Sequence, residues 1–388
     1  MRSFHPSRKT LFLSLIWLCS VYGLGQAAQT AAGPTSQKTE AGTGTGTNGA
    51  RDKAEDLGYN SGSSKPDSNG ASPEDANKTP DLRPGEDLTS LAVPHNLPVM
   101  DPAPPLRGTF PDFTREFLQL AWRPYDVIDL YVMKPVGVEK PPVILYLYTF
   151  PGDTDRFKAN RFAEIATQHG FAAVGFVSAL TGQRFHDRPM KEWFVSQLQE
   201  SLAYSVHDVQ LILNYLTKRG DLDMTRVGMF ADGSGASIAI MAASVDPRIK
   251  TLDLFDAWGD WPDWLAHSSL VPDDERANYL KPEFLDKVKT LDPANYLPQL
   301  TTPKVRLQYL QSDTVTPKAA RDRMLAAAPP NAKIVHYENA RIFLQNAGVN
   351  GKMFDWVKEQ LVPGSVPVES AKGATAPAAP AGDKGSPR

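Results

Sequence analysis

The sequence predicts an α/β fold, a mostly parallel central sheet with helices on both faces, and three observations carry that prediction. Short apolar runs alternate with longer amphipathic ones through most of residues 125 to 361, the pattern of strands feeding crossover helices. Val143 to Tyr148 and Phe171 to Val177 are apolar without polar alternation, as strands covered on both faces are. Leu202, Val206, Val209, Leu213 and Leu216 then recur at helical spacing, with Lys218 and Arg219 in the last turn and Gly220 as the stop.

The elements follow in order. After the two strands and the long helix, with its one buried stripe, come a strand at Val227 to Ala231, a small-residue helix from about Gly235 to Ala243, and a strand at Thr251 to Phe255. Strands at Val305 to Leu310 and Lys333 to Tyr337 are each trailed by a helix, the last being Gly351 to Leu361. The βα order is interrupted once, by a cap insertion at about 258–290.

The ends read differently. Arg2, Arg8 and Lys9 precede an apolar run from Leu11 to Leu24, and Gly25-Gln26-Ala27 supplies the small residues of a cleavage site, so residues 1–27 are expected to be a secretory signal. The protein is accordingly expected to be secreted or periplasmic, with no integral membrane segment once the signal is removed. The single cysteine, Cys19, lies inside that signal, which leaves the mature chain without a disulfide. Residues 28–90 are rich in Gly, Ser, Thr, Asn and Pro and are expected to form a disordered linker. The same texture returns at 363–388, bracketing a body at 91–362. A net charge of -3 argues against nucleic acid as a partner. No His, Asp or Glu set has metal-ligand spacing and no phosphate loop is present, so no cofactor is predicted.

In a sheet of this kind, chemistry belongs on loops at the carboxyl ends of the strands, and three of those loops are informative. Arg226-Val227-Gly228-Met229-Phe230-Ala231-Asp232-Gly233-Ser234-Gly235-Ala236 resembles the nucleophile elbow of serine esterases and peptidases in the α/β-hydrolase superfamily. Its flavour resembles the dienelactone hydrolase, acetyl xylan esterase and prolyl-oligopeptidase-like branch. Gln311-Ser312-Asp313-Thr314-Val315-Thr316-Pro317 resembles the loop of the family's catalytic acid, and His336 to Phe343 the loop of its histidine. The resemblance implies an α/β-hydrolase fold and a triad at positions 233, 313 and 341. Those positions hold Gly233, Asp313 and Arg341, so two of three triad groups are missing.

The elbow requires small residues two positions to either side of its centre. Centred on Gly233 those are Ala231 and Gly235; centred on Ser234 they would be Asp232 and Ala236, a poorer fit. Ser234 stays open as a fallback nucleophile in a shifted elbow. Arginine stays protonated and cannot act as a general base, but Arg341 could replace the old acid–histidine contact with an ion pair to Asp313. Where the family usually has His-Gly after its third strand, this chain has Tyr148-Thr149. Tyr148, Thr149, Asp232 and His186 are pocket candidates, with Trp258 and Trp261, which belong to a run of three tryptophans and acids opening the cap. Those rings either stack on a ligand or glue the cap to the sheet. The function expected is binding or scaffolding of a small-molecule, glycan or peptide ligand, the alternative being an active serine ester or peptide hydrolase that uses Ser234.

Overall fold

The computed structural model describes residues 101–123, 126–148, 155–178, 198–348 and 351–366. The predicted signal, the linker and the tail beyond residue 366 lie outside these, as do Thr149 and His186. Nine strands form one sheet: β1 (Leu106–Thr109), β2 (Phe113–Arg123), β3 (Asp126–Pro135), β4 (Pro142–Leu147), β5 (Ala172–Phe176), β6 (Asp223–Asp232), β7 (Ile249–Phe255), β8 (Lys304–Leu310) and β9 (Lys333–Tyr337). Their spatial order is β1-β2-β3-β5-β4-β6-β7-β8-β9. Every pair from β5 through β9 is parallel.

The βα alternation does not predict β1 to β3, which pair antiparallel and have no helix between them. They extend the sheet on one side and end it in an edge strand, β1, that is largely exposed. The later strands match the apolar runs closely, β9 to the residue.

The helices are α1 (Asn160–Thr167), α2 (Leu198–Arg219), α3 (Ser234–Val245), α4 (Trp261–His267), α5 (Asp273–Tyr279), α6 (Pro282–Val288), α7 (Pro293–Tyr296), α8 (Lys318–Ala326), α9 (Ala340–Asn346) and α10 (Asp355–Leu361). The final predicted helix is therefore split: Gly351 takes a left-handed φ of 78° and a 3-10 turn precedes α10. Two cores result. One packs α2, α3 and the cap against one face of the sheet, and the other packs α1, α9 and α10 against the opposite face. Among the described residues no helix is long and apolar enough to cross a membrane.

Helix α2 departs from the single buried stripe expected of it, because residues 201–213 are buried all round. Its second face is covered by the cap helix α6 and by the N-terminal sheet. There Trp122 Nε1 donates to Asp208 Oδ1 at 2.8 Å, and the Trp122 ring lies 5.2 Å from that of His207. His207 and Asp208 are thus parts of a packed contact.

The cap runs past residue 290, through α7 and a further 3-10 turn, before β8 begins at Lys304. Its entry is tied to its exit by Asp292, whose carboxylate accepts hydrogen bonds from the backbone N–H of Asp260 (2.8 Å), Trp261 (2.9 Å) and Ala294 (2.9 Å). Trp258, Trp261 and Trp264 are 3%, 1% and 0% exposed. Their rings pack on one another, Trp258 to Trp264 at 4.9 Å and Trp261 to Trp264 at 5.7 Å, and Trp261 Nε1 donates to the Leu291 carbonyl. Burial of this extent corrects the pocket assignment of Trp258 and Trp261. They are core residues that fasten the cap, and no ring face is left for a ligand.

Candidate functional site

The chain leaves β4 to form β5 on one side of it and returns to form β6 on the other. This reversal makes the gap between the carboxyl ends of β4 and β6 the topological switch point, where open α/β sheets bind ligands. Leu147 pairs with Ala231 across those strands, so Tyr148 and Asp232 emerge next, side by side.

The strand-to-helix turn after β6 is centred on Gly233. Its φ of 54° and ψ of -116° lie where side chains are strained and glycine is not. Its N–H donates to the Phe255 carbonyl at 2.9 Å, and its own carbonyl accepts from Ala236 N at 3.1 Å. The flanks fit the same centre. Ala231 is fully buried, and a Cβ on Gly235 would lie 2.5 Å from the Leu147 carbonyl oxygen, so helix α3 starts too close to β4 for any larger residue. Ser234 is the first residue of α3 and is 1% exposed. Gly233→Ser is expected to lower stability by about 1–3 kcal/mol through backbone strain, measurable as a reduced midpoint in urea unfolding.

The acid loop does reach this turn. Asp313 follows β8, and its carboxylate accepts from Val315 N (3.1 Å) and Thr316 N (2.8 Å), bracing the turn that leads into α8. Its negative charge is felt at Asp232. Arg341 does not join them. It sits exposed in the first turn of α9, a helix capped by Asn339, whose side chain accepts from Ile342 N at 3.1 Å. The cap fixes the start of α9 with residue 341 facing solvent. No ion pair links Arg341 to Asp313, and the expected replacement of the acid–histidine contact is corrected accordingly.

Two residues not singled out from the sequence complete the site. Arg156, in a 3-10 turn ahead of α1, is buried with its guanidinium 3.8 Å from the centroid of the Tyr148 ring, a cation–π contact. Asp256 follows β7 with a left-handed φ of 44° and accepts from Leu310 N at 2.9 Å. Its position at a strand's carboxyl end was the available signal; Arg156 offered none, being one of many arginines outside the apolar pattern.

The electrostatics follow from burial. Burial pushes the Asp232 carboxyl up to about 7, with Arg156 opposing and Asp313 adding to the rise. Asp256 is raised well above the usual range by burial, then by Asp313, with Asp232 adding and the Leu310 N–H and Arg321 opposing. Burial lifts the Tyr148 phenol to about 12 against the pull of Arg156. Among the described residues no group of three or more His, Cys, Asp or Glu side chains is arranged to hold a metal ion.

No protein-family model matches the chain, and no curated protein is significantly similar to it. Solved structures do resemble it. The Pyrococcus horikoshii acylaminoacyl peptidase superposes with a TM-score of 0.50 at 14% identity, covering 64% of this chain and 42% of that one. An acylaminoacyl peptidase in complex with Z-Gly-Gly-Phe-chloromethyl ketone gives 0.51 at 14% identity with the same coverage. An acetyl xylan esterase from Paenibacillus sp. R4 gives 0.46 at 12% identity, covering 61% of this chain and 82% of that one. The chain spans less than half the length of the two peptidases. The sheet order and the likeness to the two peptidases give it the α/β-hydrolase fold.

Proposed function

We infer that this is an exported α/β-hydrolase-fold protein that has lost serine-hydrolase chemistry and binds a ligand, or scaffolds, at the switch point. The observation that carries this reading is Gly233 at the tip of the elbow, in the conformation that presents a nucleophile in active members of the fold. A glycine has no atom to attack with, and the triad works as a unit. The exposed Arg341 supports the same reading, because it stands in the histidine's place in sequence without approaching Asp313. Ser234, buried in the first turn of α3, is badly placed to substitute. Export rests on the signal read at residues 1–27.

The test is direct. The purified mature chain is expected to hydrolyse short p-nitrophenyl esters no faster than its Ser234→Ala variant, and to remain unlabelled by a fluorophosphonate probe. Labelling mapped to Ser234 would overturn the reading and establish an active serine hydrolase.

A further inference from the structure

We propose that Arg156 and Arg161 hold the head of a small monocarboxylate in the cavity between α1 and the segment joining α9 to α10. None of the residues that line this cavity belongs to the elbow or to the triad positions, so the site goes beyond the loss of hydrolysis and stands whether or not that reading holds.

The cavity has a volume of about 30 Å³, where a single water needs about 10–15 Å³. Its walls are apolar: Phe162 and Ile165 come from α1, and Met353 and Phe354 from the 3-10 turn before α10. Gly351, in its left-handed conformation, brings the chain so close to α1 that a Cβ there would lie 2.2 Å from Ile165 Cγ2. That approach closes one side. Among the described residues the charged groups lining the cavity are the two guanidiniums, and no carboxylate lines it.

Both arginines are placed for an anion. Arg156 is buried and stacked on Tyr148 at 3.8 Å, which fixes the guanidinium plane and directs its in-plane N–H groups away from the ring face. Arg161 is half-exposed, and its pair with Glu164, at 3.4 Å, is a loose contact in solvent of the kind that a better partner displaces. Helix α1 starts with no acidic residue in its first turn and no side-chain cap, so the positive end of its dipole adds to the same sign. Arg156 also acts on Asp232, which keeps its proton below about 7.

Shape and hydration select among anions. A carboxylate is planar, matches the guanidinium fork and carries one charge, and its two oxygens suit so small a space. Phosphate has four oxygens and would lose more hydration against four apolar side chains. Those walls favour an anion with a short hydrocarbon stem, and the cavity is open on one side to let the stem leave.

Titrating the purified mature chain with sodium butyrate at pH 6, followed by heteronuclear NMR, tests this. Saturable binding is expected, with the largest amide shifts at Gly348 and Gly351, which line the cavity. Neutral n-butanol, and inorganic phosphate at the same ionic strength, are expected to bind far more weakly. Arg156→Met is expected to weaken butyrate about tenfold or more, and Arg161→Gln by a smaller factor. No saturable binding, phosphate or butanol binding as tightly as butyrate, shifts centred away from the cavity, or unchanged affinity in Arg156→Met would overturn the proposal. If Arg156→Met does not fold, Arg161→Gln and the two control ligands decide.

Discussion

Replacing Arg306 alone by methionine is expected to destabilise the fold by about 3–5 kcal/mol, because it strands a carboxylate in the core. Asp253 is fully buried on β7, opposite Arg306 on β8. The two form a paired contact, with Arg306 Nε donating to Oδ1 at 2.7 Å and an Nη to Oδ2 at 2.6 Å. Gln308 Nε2 donates to the same carboxylate at 2.8 Å, while Tyr337 donates its hydroxyl to Gln308 Oε1 at 2.9 Å. Arg306 also reaches the Met353 carbonyl and lies 4.9 Å over the Trp356 ring, linking the strands to the C-terminal segment. Asp253→Asn with Arg306→Met removes both charges but keeps an acceptor for Gln308. That double variant is expected to lose much less stability than Arg306→Met alone. Denaturant unfolding of the two single variants and the double measures the coupling, and additive losses would show that the pair is not electrostatically coupled.

That network also marks how far the sequence could be read. The parallel strands were legible because burial on both faces forces apolar runs, and the order of loops was legible because chemistry gathers at their carboxyl ends. Asp253, Arg306 and Gln308 sit inside runs read simply as strands, and only the register shows that they meet. The same limit applies to the site. Gly233 was located from its small neighbours, and the Leu147 carbonyl against Gly235 gives the steric reason. Arg341 was placed in the old histidine's position by spacing, yet spacing along a chain does not specify which way a helix points the residues of its first turn. The tryptophans of the cap were ambiguous because one amphipathic ring serves a ligand or a core equally well; their burial decides for the core. Strands β1 to β3 were missed because hairpin-linked strands carry no intervening helix to set a rhythm.

At pH 8, Asp232→Asn is expected to be more stable than the natural chain by about 2–4 kcal/mol, and near pH 4 the two are expected to be nearly equal. Asp232 titrates at about 7 in the folded chain because burial, with help from Asp313, outweighs Arg156, whereas an unfolded aspartate titrates near 3.9. Between those values the folded state holds a proton that the unfolded state has released, so stability falls as pH rises through the window. Each pKa unit is worth about 1.4 kcal/mol, which sets the upper end of the range. The penalty is complete above pH 7 and absent where both states are protonated. Asparagine keeps the shape without the charge, so it escapes the penalty. Thermal unfolding of both chains from pH 4 to pH 8 measures the gap, and a constant difference across that range would show that Asp232 is not held protonated by its surroundings. A carboxyl that weakens the fold at neutral pH is a marker of a functional position.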